Sequence, residues 1–278
     1  MVTSSEFSQI AIKKVGVFDS GLGGLTVLKE LLAQRPNHDY VYFGDTAHVP
    51  YGSREAHDVI ALVTKIAKHL VNEGCEALIL ACNTSSALAL SALRATVDVP
   101  VLGVIETAAE ETARVTEGNV VGFATALTAQ SGVYQQKIRT HCQLQGRGFD
   151  PEVHEIGCPE LVPIVENHLL HTAEADRVLA SYAEVVGDLK ADTLVLGCTH
   201  YPLLLPVLGS KLPSRVKIVN PANLIPEYLA PIPRELMGSL QVHVSGSPSD
   251  FDPPASTILG QRVFSTRVVL GSESRAYL

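Results

Sequence analysis

The 278-residue chain contains no tryptophan, two methionines and only 5% aromatic residues. It has no apolar run approaching the roughly 20 residues needed to cross a bilayer. Met1 to Lys14 lacks the basic start and continuous apolar stretch of a signal peptide. A cytoplasmic setting without a membrane partner is therefore expected. Basic residues are outnumbered 21 to 29, for a formal charge of −8 and a pI near 5.7. Lys13-Lys14 is an isolated pair, and without clustered Lys and Arg no nucleic-acid partner is expected. The five cysteines (Cys75, Cys82, Cys142, Cys158, Cys198) are odd in number and widely spaced. In a chain too long to need disulfide staples, free thiols are the expected state. No Cys-x-x-Cys or His-x-x-x-His spacing offers a metal site, so no metal is expected.

What is present is a 46% hydrophobic content, enough for a sizeable core, and a regular alternation of strand-like and helix-like segments. Val15 to Phe18, Tyr40 to Phe43, Val101 to Ile105, Val120 to Ala124 and Val153 to Ile156 read as strands. Helical patterns cover Thr26 to Gln34, Val59 to Leu70, Ala108 to Val115, Gly132 to His141, Pro159 to Leu170 and Asp176 to Leu189. Such alternation argues for an α/β fold with mainly parallel sheets. Short strands are expected at Leu240 to Val244 and near Val268 to Leu270, joined by a loop, Ser245 to Pro254, that holds three prolines. Met1 to Lys14 reads as a loosely held extension. Residues 77–84 (A-L-I-L-A-C-N-T) and 193–200 (T-L-V-L-G-C-T-H) are near copies of one another. The chain is therefore expected to form two pseudo-symmetric lobes, residues 1–105 with 220–278 and residues 106–219, with the active site in the cleft between them.

In open α/β sheets ligands bind beyond the carboxyl ends of the strands, where Cys82 and Cys198 each follow one. A lone cysteine is usually a small buried hydrophobe, and that reading holds for Cys75 at a helix end, Cys142 in a polar loop and Cys158 before Pro159. Duplication singles out the other two. The N–H groups of a following helix are expected to lower such a thiol's pKa. Two thiols can approach one carbon from opposite faces, which suits proton removal on one and proton return on the other. His200, two residues after Cys198, points the same way in extended backbone and can relay or tune its proton. Asp19 ends the first strand, and Ser20 opens the turn Gly21-Leu22-Gly23-Gly24, which departs from the dinucleotide fingerprint at Thr26. Such a turn presents N–H groups to an anion. With Asn83, Thr84, Thr199, Thr125 and Thr128 it suggests a small molecule bearing a carboxylate. Asp19 or Glu166 can bind its ammonium group or assist a thiol.

At these residues the sequence resembles the cofactor-independent glutamate racemases of the aspartate/glutamate racemase superfamily. The resemblance rests on Val17 to Thr26, Tyr42 to Thr46 with Pro50-Tyr51-Gly52, Ala81 to Thr84, Cys158-Pro159 with Glu166, and Gly197 to Pro202. A looser likeness continues at Val244-Ser245-Gly246 and Phe251. His200 matters most, because aspartate racemases usually carry Glu there. The resemblance implies Cys82 and Cys198 as opposed acid and base, with Asp19 supporting Cys82 and with His200 and Glu166 supporting Cys198. It implies substrate contacts from Asp19, Ser20, Tyr51, Gly52, Asn83, Thr84, Thr199 and His200, no cofactor, and D-glutamate for peptidoglycan as the product. Ala124, Asn220-Pro221 and Ser85 depart from the usual glycine, acidic residue and alanine, which bears on substrate fit and lobe packing. The partner expected is a small molecule; a homodimer is compatible with it. Three rivals remain at this stage: a racemase of another acid such as aspartate, a two-lobed binding protein without turnover, and a Cys-His acyltransferase, which leaves the second thiol unexplained.

Overall fold

The structure is a computed structural model that describes residues 12–233 and 238–271. Ten strands form two sheets, and every pairing among the described residues is parallel. The first sheet takes β1 (Lys14–Asp19), β2 (Asp39–Gly44), β3 (Ala77–Leu80), β4 (Val101–Gly103), β9 (Leu240–Val244) and β10 (Ser265–Arg267), in the order β10-β9-β2-β1-β3-β4. The second takes β5 (Asn119–Ala124), β6 (Glu152–Gly157), β7 (Thr193–Gly197) and β8 (Lys217–Val219), in the order β6-β5-β7-β8. Substituting β5 for β1 and continuing reproduces β2-β1-β3-β4, so the repeat seen in sequence is a repeat of topology. In each sheet the strand order reverses at one strand, β1 or β5, flanked by its two successors. That switch point opens a crevice at the carboxyl edge.

Helices cover both faces, as an all-parallel sheet requires. Around the first sheet lie α1 (Leu25–Gln34), α2 (Ala56–Asn72) and α3 (Asn83–Arg94). The chain continues through α4 (Val104–Val115), α5 (Ala126–Gln130), α6 (Val133–Leu144), α7 (Leu161–Glu166), α8 (Ala173–Asp188), α9 (Leu205–Leu208), α10 (Pro221–Leu224) and α11 (Pro248–Leu259). The inner strands are buried almost throughout, as with Val15, Val17, Leu78 and Leu80, which sit in cores on opposite faces of the first sheet.

Several local expectations need correction. The strand from Val101 ends at Gly103, whose extended backbone caps α4, so Val104 and Ile105 are helical. Cys142 lies inside α6, where Tyr134, Ile138 and Cys142 form one buried stripe at four-residue spacing. The helix expected to reach Leu170 stops at Glu166, because His168 turns left-handed (φ +56°) and Leu169 N–H closes back on Ile164 O. The expected proline-bearing loop is α11: Pro248 opens it, and burial of Phe251 and Ala255 outweighs the donors missing at Pro253 and Pro254. The last strand sits at Ser265–Arg267 rather than near Val268, because its partner β9 runs out at Val244. Of the expected loose extension, residues 1–11 lie outside the described residues. Ile12, by contrast, is packed in the core, and Lys13 N–H donates to Glu76.

At the far edge of the second sheet one carboxylate ties the starts of β5 and β7 together. Asp192 accepts from Asn119 N–H (2.8 Å), Glu117 N–H (3.1 Å), Thr116 Oγ1 (2.8 Å) and Thr193 Oγ1 (2.6 Å). Burial alone pushes this carboxyl up, but the four donors outweigh it and hold the group below its usual range. The resulting stabilisation is complete above the unfolded carboxylate value and is lost as the pH falls through the lower folded one. Asp192→Ala is expected to cost about 2–4 kcal/mol, read from urea unfolding, and to blunt the acid destabilisation measured from neutral pH down.

Candidate active site

The carboxyl edges of the two sheets face each other, and the site lies between them. Asp19 closes β1; its Oδ2 accepts Gly21 N–H at 3.0 Å, while Oδ1 accepts the Thr199 hydroxyl of the opposite lobe at 3.3 Å. The expectation that this turn offers its amides to an anion is thus corrected at Gly21, whose N–H is already taken. Gly23 needs to be glycine, because a Cβ there would collide with Thr199 Oγ1 and stand 2.7 Å from His200 Nδ1. Thr26, on α1, bridges its hydroxyl to Gly23 O (2.9 Å) and Thr199 O (3.1 Å).

After β3, Ala81 leads to Cys82, the N-cap of α3, whose Sγ accepts Ser85 N–H at 3.5 Å. The helix does donate to the thiol, as expected, but the net direction is opposite. Burial, with the Asp19 carboxylate next, pushes Cys82 up to about 12, against the pull of Ser85. After β7, Cys198 Sγ lies 3.7 Å from His200 Nδ1. The backbone there is a turn entering a 3-10 segment at Tyr201–Leu204 rather than the expected extended chain. His200 Nε2 approaches Glu166 Oε1, on α7, at 3.2 Å without the alignment of a directed hydrogen bond. Burial disfavours its charge, but Cys198 and Glu166 outweigh that and raise the imidazole to about 10.

Further contacts cross the cleft. Tyr134, on α6, donates to Asn83 Oδ1 at 2.6 Å. Thr84, Thr125 and Thr128 form a triangle of hydroxyls with edges of 3.0, 3.1 and 2.9 Å. Gly52 passes close to Thr125, where a Cβ would sit 3.1 Å from its Cβ. The Tyr51 hydroxyl is committed to Asp45 Oδ2, whose Oδ1 accepts from Ser245 at 2.6 Å and contacts His48 Nδ1 at 2.7 Å.

Ser20, Tyr51, Gly52, Cys82, Asn83 and Thr84 enclose one small cavity with Thr125, Cys198, Thr199 and His200. Its volume is about 30 Å³, room for two or three waters and too little for an amino acid. Asp19 lies at its margin on Thr199, Thr128 behind Thr125, and Glu166 behind His200. A larger, mostly apolar cleft of about 360 Å³ reaches Glu166 and His200 but neither thiol. Sequence reasoning missed Tyr134, Asp45 and Thr26 as members of this site; in sequence Tyr134 falls in a helical pattern and Thr26 reads as a helix start. The remaining three cysteines are buried in the cores, and all five are free. Among the described residues, no group of three His, Cys, Asp or Glu could hold a metal ion, and no helix is long and apolar enough to cross a membrane.

The family described as Asp/Glu/Hydantoin racemase matches residues 20–225. A glutamate racemase of Trichormus variabilis is 44% identical over 211 residues, 75% of this chain and 69% of that one. A glutamate racemase isoform of Bacillus anthracis superposes with a TM-score of 0.85 at 32% identity, covering 93% of this chain and 98% of its own. The Francisella tularensis glutamate racemase, solved with D-glutamate, gives a TM-score of 0.82 at 26% identity, with 94% and 99% covered.

The His200 arrangement makes a pH prediction. Because its folded value is raised, the stabilisation from its proton is complete below the unfolded imidazole value of about 6.5 and is lost as the pH rises through about 10. Melting temperature is expected to fall across that window, and less so in Glu166→Gln; His200 ring protons should still titrate as imidazolium at pH 8 by NMR.

Proposed function

The chain belongs to the Asp/Glu/hydantoin racemase family, and from that membership we propose that it is a glutamate racemase working through two thiols. The observation that carries the reading is that Cys82 and Cys198, at equivalent positions of two topological repeats, line one small cavity. The Cα–H of an amino acid is a very weak acid, so its removal needs a placed base and electrostatic support for the carbanion in a site closed to water. One thiolate takes the proton from Cα as the opposite thiol delivers its own to the other face. Cys82 serves the D enantiomer and Cys198 the L enantiomer, an assignment that follows the family resemblance.

The two sulfurs have opposite surroundings. Asp19 opposes negative charge on Cys82, whereas the His200 imidazolium, backed by Glu166, favours it on Cys198. Ser20, Asn83, Thr84 and Thr199, with the Tyr51-Gly52 segment and Thr125 and Thr128, hold the ammonium and carboxylate groups. Glutamate has ten non-hydrogen atoms, so a 30 Å³ cavity requires the lobes to part for entry. The lobes of this reading are residues 1–105 with 220–278 and 106–219, supported by the membership of β1–β4, β9 and β10 in one sheet and β5–β8 in the other. No cofactor is required, because the thiols are themselves acid and base. The wider reading is a cytoplasmic enzyme, supported by five free thiols, that supplies D-glutamate for peptidoglycan; a homodimer belongs to it and is checked by light scattering.

The test is the circular dichroism of L-glutamate in heavy water with purified protein and no added cofactor, beside L-aspartate. Decay with glutamate alone, with deuterium appearing at Cα, is expected; no exchange in either would leave only a binding protein. Cys82→Ser and Cys198→Ser are each expected to lower racemisation by at least about 10³-fold, and full activity in either would sink the two-thiol scheme.

A further inference from the structure

The third residue of α3 carries a hydroxyl that the fold does not use. Ser85 is 1% exposed, and its Oγ has no hydrogen-bond partner. Its neighbour Ser86 differs, donating to Leu80 O at 3.0 Å. A buried hydroxyl without a partner costs stability, and alanine would serve a helix better at this position. Packing and propensity therefore give no reason for the serine. Its location does. Ser85 is the residue whose own N–H reaches Cys82 Sγ, at 3.5 Å, and a serine hydroxyl is free to turn its proton toward whatever acceptor arises.

We propose that Ser85 is a positioning residue for negative charge on Cys82, its hydroxyl joining its N–H as a second donor in the enzyme form that carries the thiolate there. No hydrogen bond of ordinary geometry ties that hydroxyl elsewhere. When a proton has left Cys82 for Cα, the same hydroxyl meets a sulfur anion in a buried site. It thereby offsets part of the opposition from burial and from the Asp19 carboxylate, in line with the downward pull that Ser85 exerts on this thiol. Cys198 has no counterpart, since its support comes from His200. The inference rests on the two-thiol reading above.

Enantiomers have equal free energies, so kcat/KM must be the same for D- and L-glutamate in every variant. Losing the donor destabilises only the complex in which Cys82 holds the charge, so KM and kcat for the enantiomer that Cys82 deprotonates should rise together. Ser85→Ala is expected to shift the D-to-L ratio of KM by roughly three- to tenfold, and the ratio of kcat by the same factor. It should also melt at or above the wild-type temperature, because an unpartnered hydroxyl is removed. Ser85→Thr, which keeps the hydroxyl, should return the ratio toward wild type. A looser helix would move both enantiomers alike. Equal changes in both KM values, no change in either, or a lower melting temperature with an unmoved ratio would each overturn the role of Ser85. The Ala variant decides the matter even where Thr does not fold. Cys82→Ser, assayed alongside, separates the two failures: an active Cys82→Ser sinks the two-thiol reading, whereas an inactive one with an unmoved Ser85→Ala ratio sinks only the role of Ser85.

Discussion

The site depends on the close approach of Thr199 to the bare backbone of Gly23. With no side chain at Gly23, the turn that carries Cys198, Thr199 and His200 can lie directly against the turn that follows β1. Three polar contacts then lock the approach: the Thr199 hydroxyl on Asp19, the Thr26 hydroxyl on Thr199 O, and the Tyr134 hydroxyl on Asn83. Each is buried, so each is worth more than at a surface and costs more when unmade. Together they bring two carboxyl sheet edges close enough for one cavity to touch both sulfurs.

The two halves share a topology and differ in electrostatics. A strand end delivers each cysteine, but a carboxylate faces Cys82 and an imidazole with its own carboxylate faces Cys198. A strictly symmetric site would give both thiols the same neighbours. Divergence of partners around a duplicated frame gives the same residue type two different charged neighbourhoods.

Closure and turnover are in tension here. The hydroxyl triangle of Thr84, Thr125 and Thr128 bridges the lobes, and it also lines or backs the space a substrate needs. Hydroxyls suit both tasks, since they exchange one another for a ligand carboxylate with little change in the number of hydrogen bonds. The hydroxyl contacts between the two halves are concentrated at the cavity, whereas the apolar cores pack against the sheets.

Much of this was legible in the chain. The period of β-branched and leucine runs marked the inner strands, because strands buried on both faces leave little choice of residue. The shared pattern of residues 77–84 and 193–200, an apolar run ending in a small residue and a cysteine, marked the repeat and both thiols, because strand ends in parallel sheets are where ligands bind. The ends of elements were less legible: α11 runs through Pro253 and Pro254, and Cys142 lies in a helix, because burial of Phe251 and of the Tyr134 stripe overrode local preference. The charge state of Cys82 was not legible at all. Its position at a helix N-cap argued for a lowered pKa, yet burial beside Asp19 raises it, and burial is a property of the packed chain. The sequence by itself determined the fold class, the duplicated thiols and the family; only the tertiary structure decided which groups surround each sulfur, because Asp19, Tyr134 and Glu166 reach the site across distances that no spacing along the chain encodes.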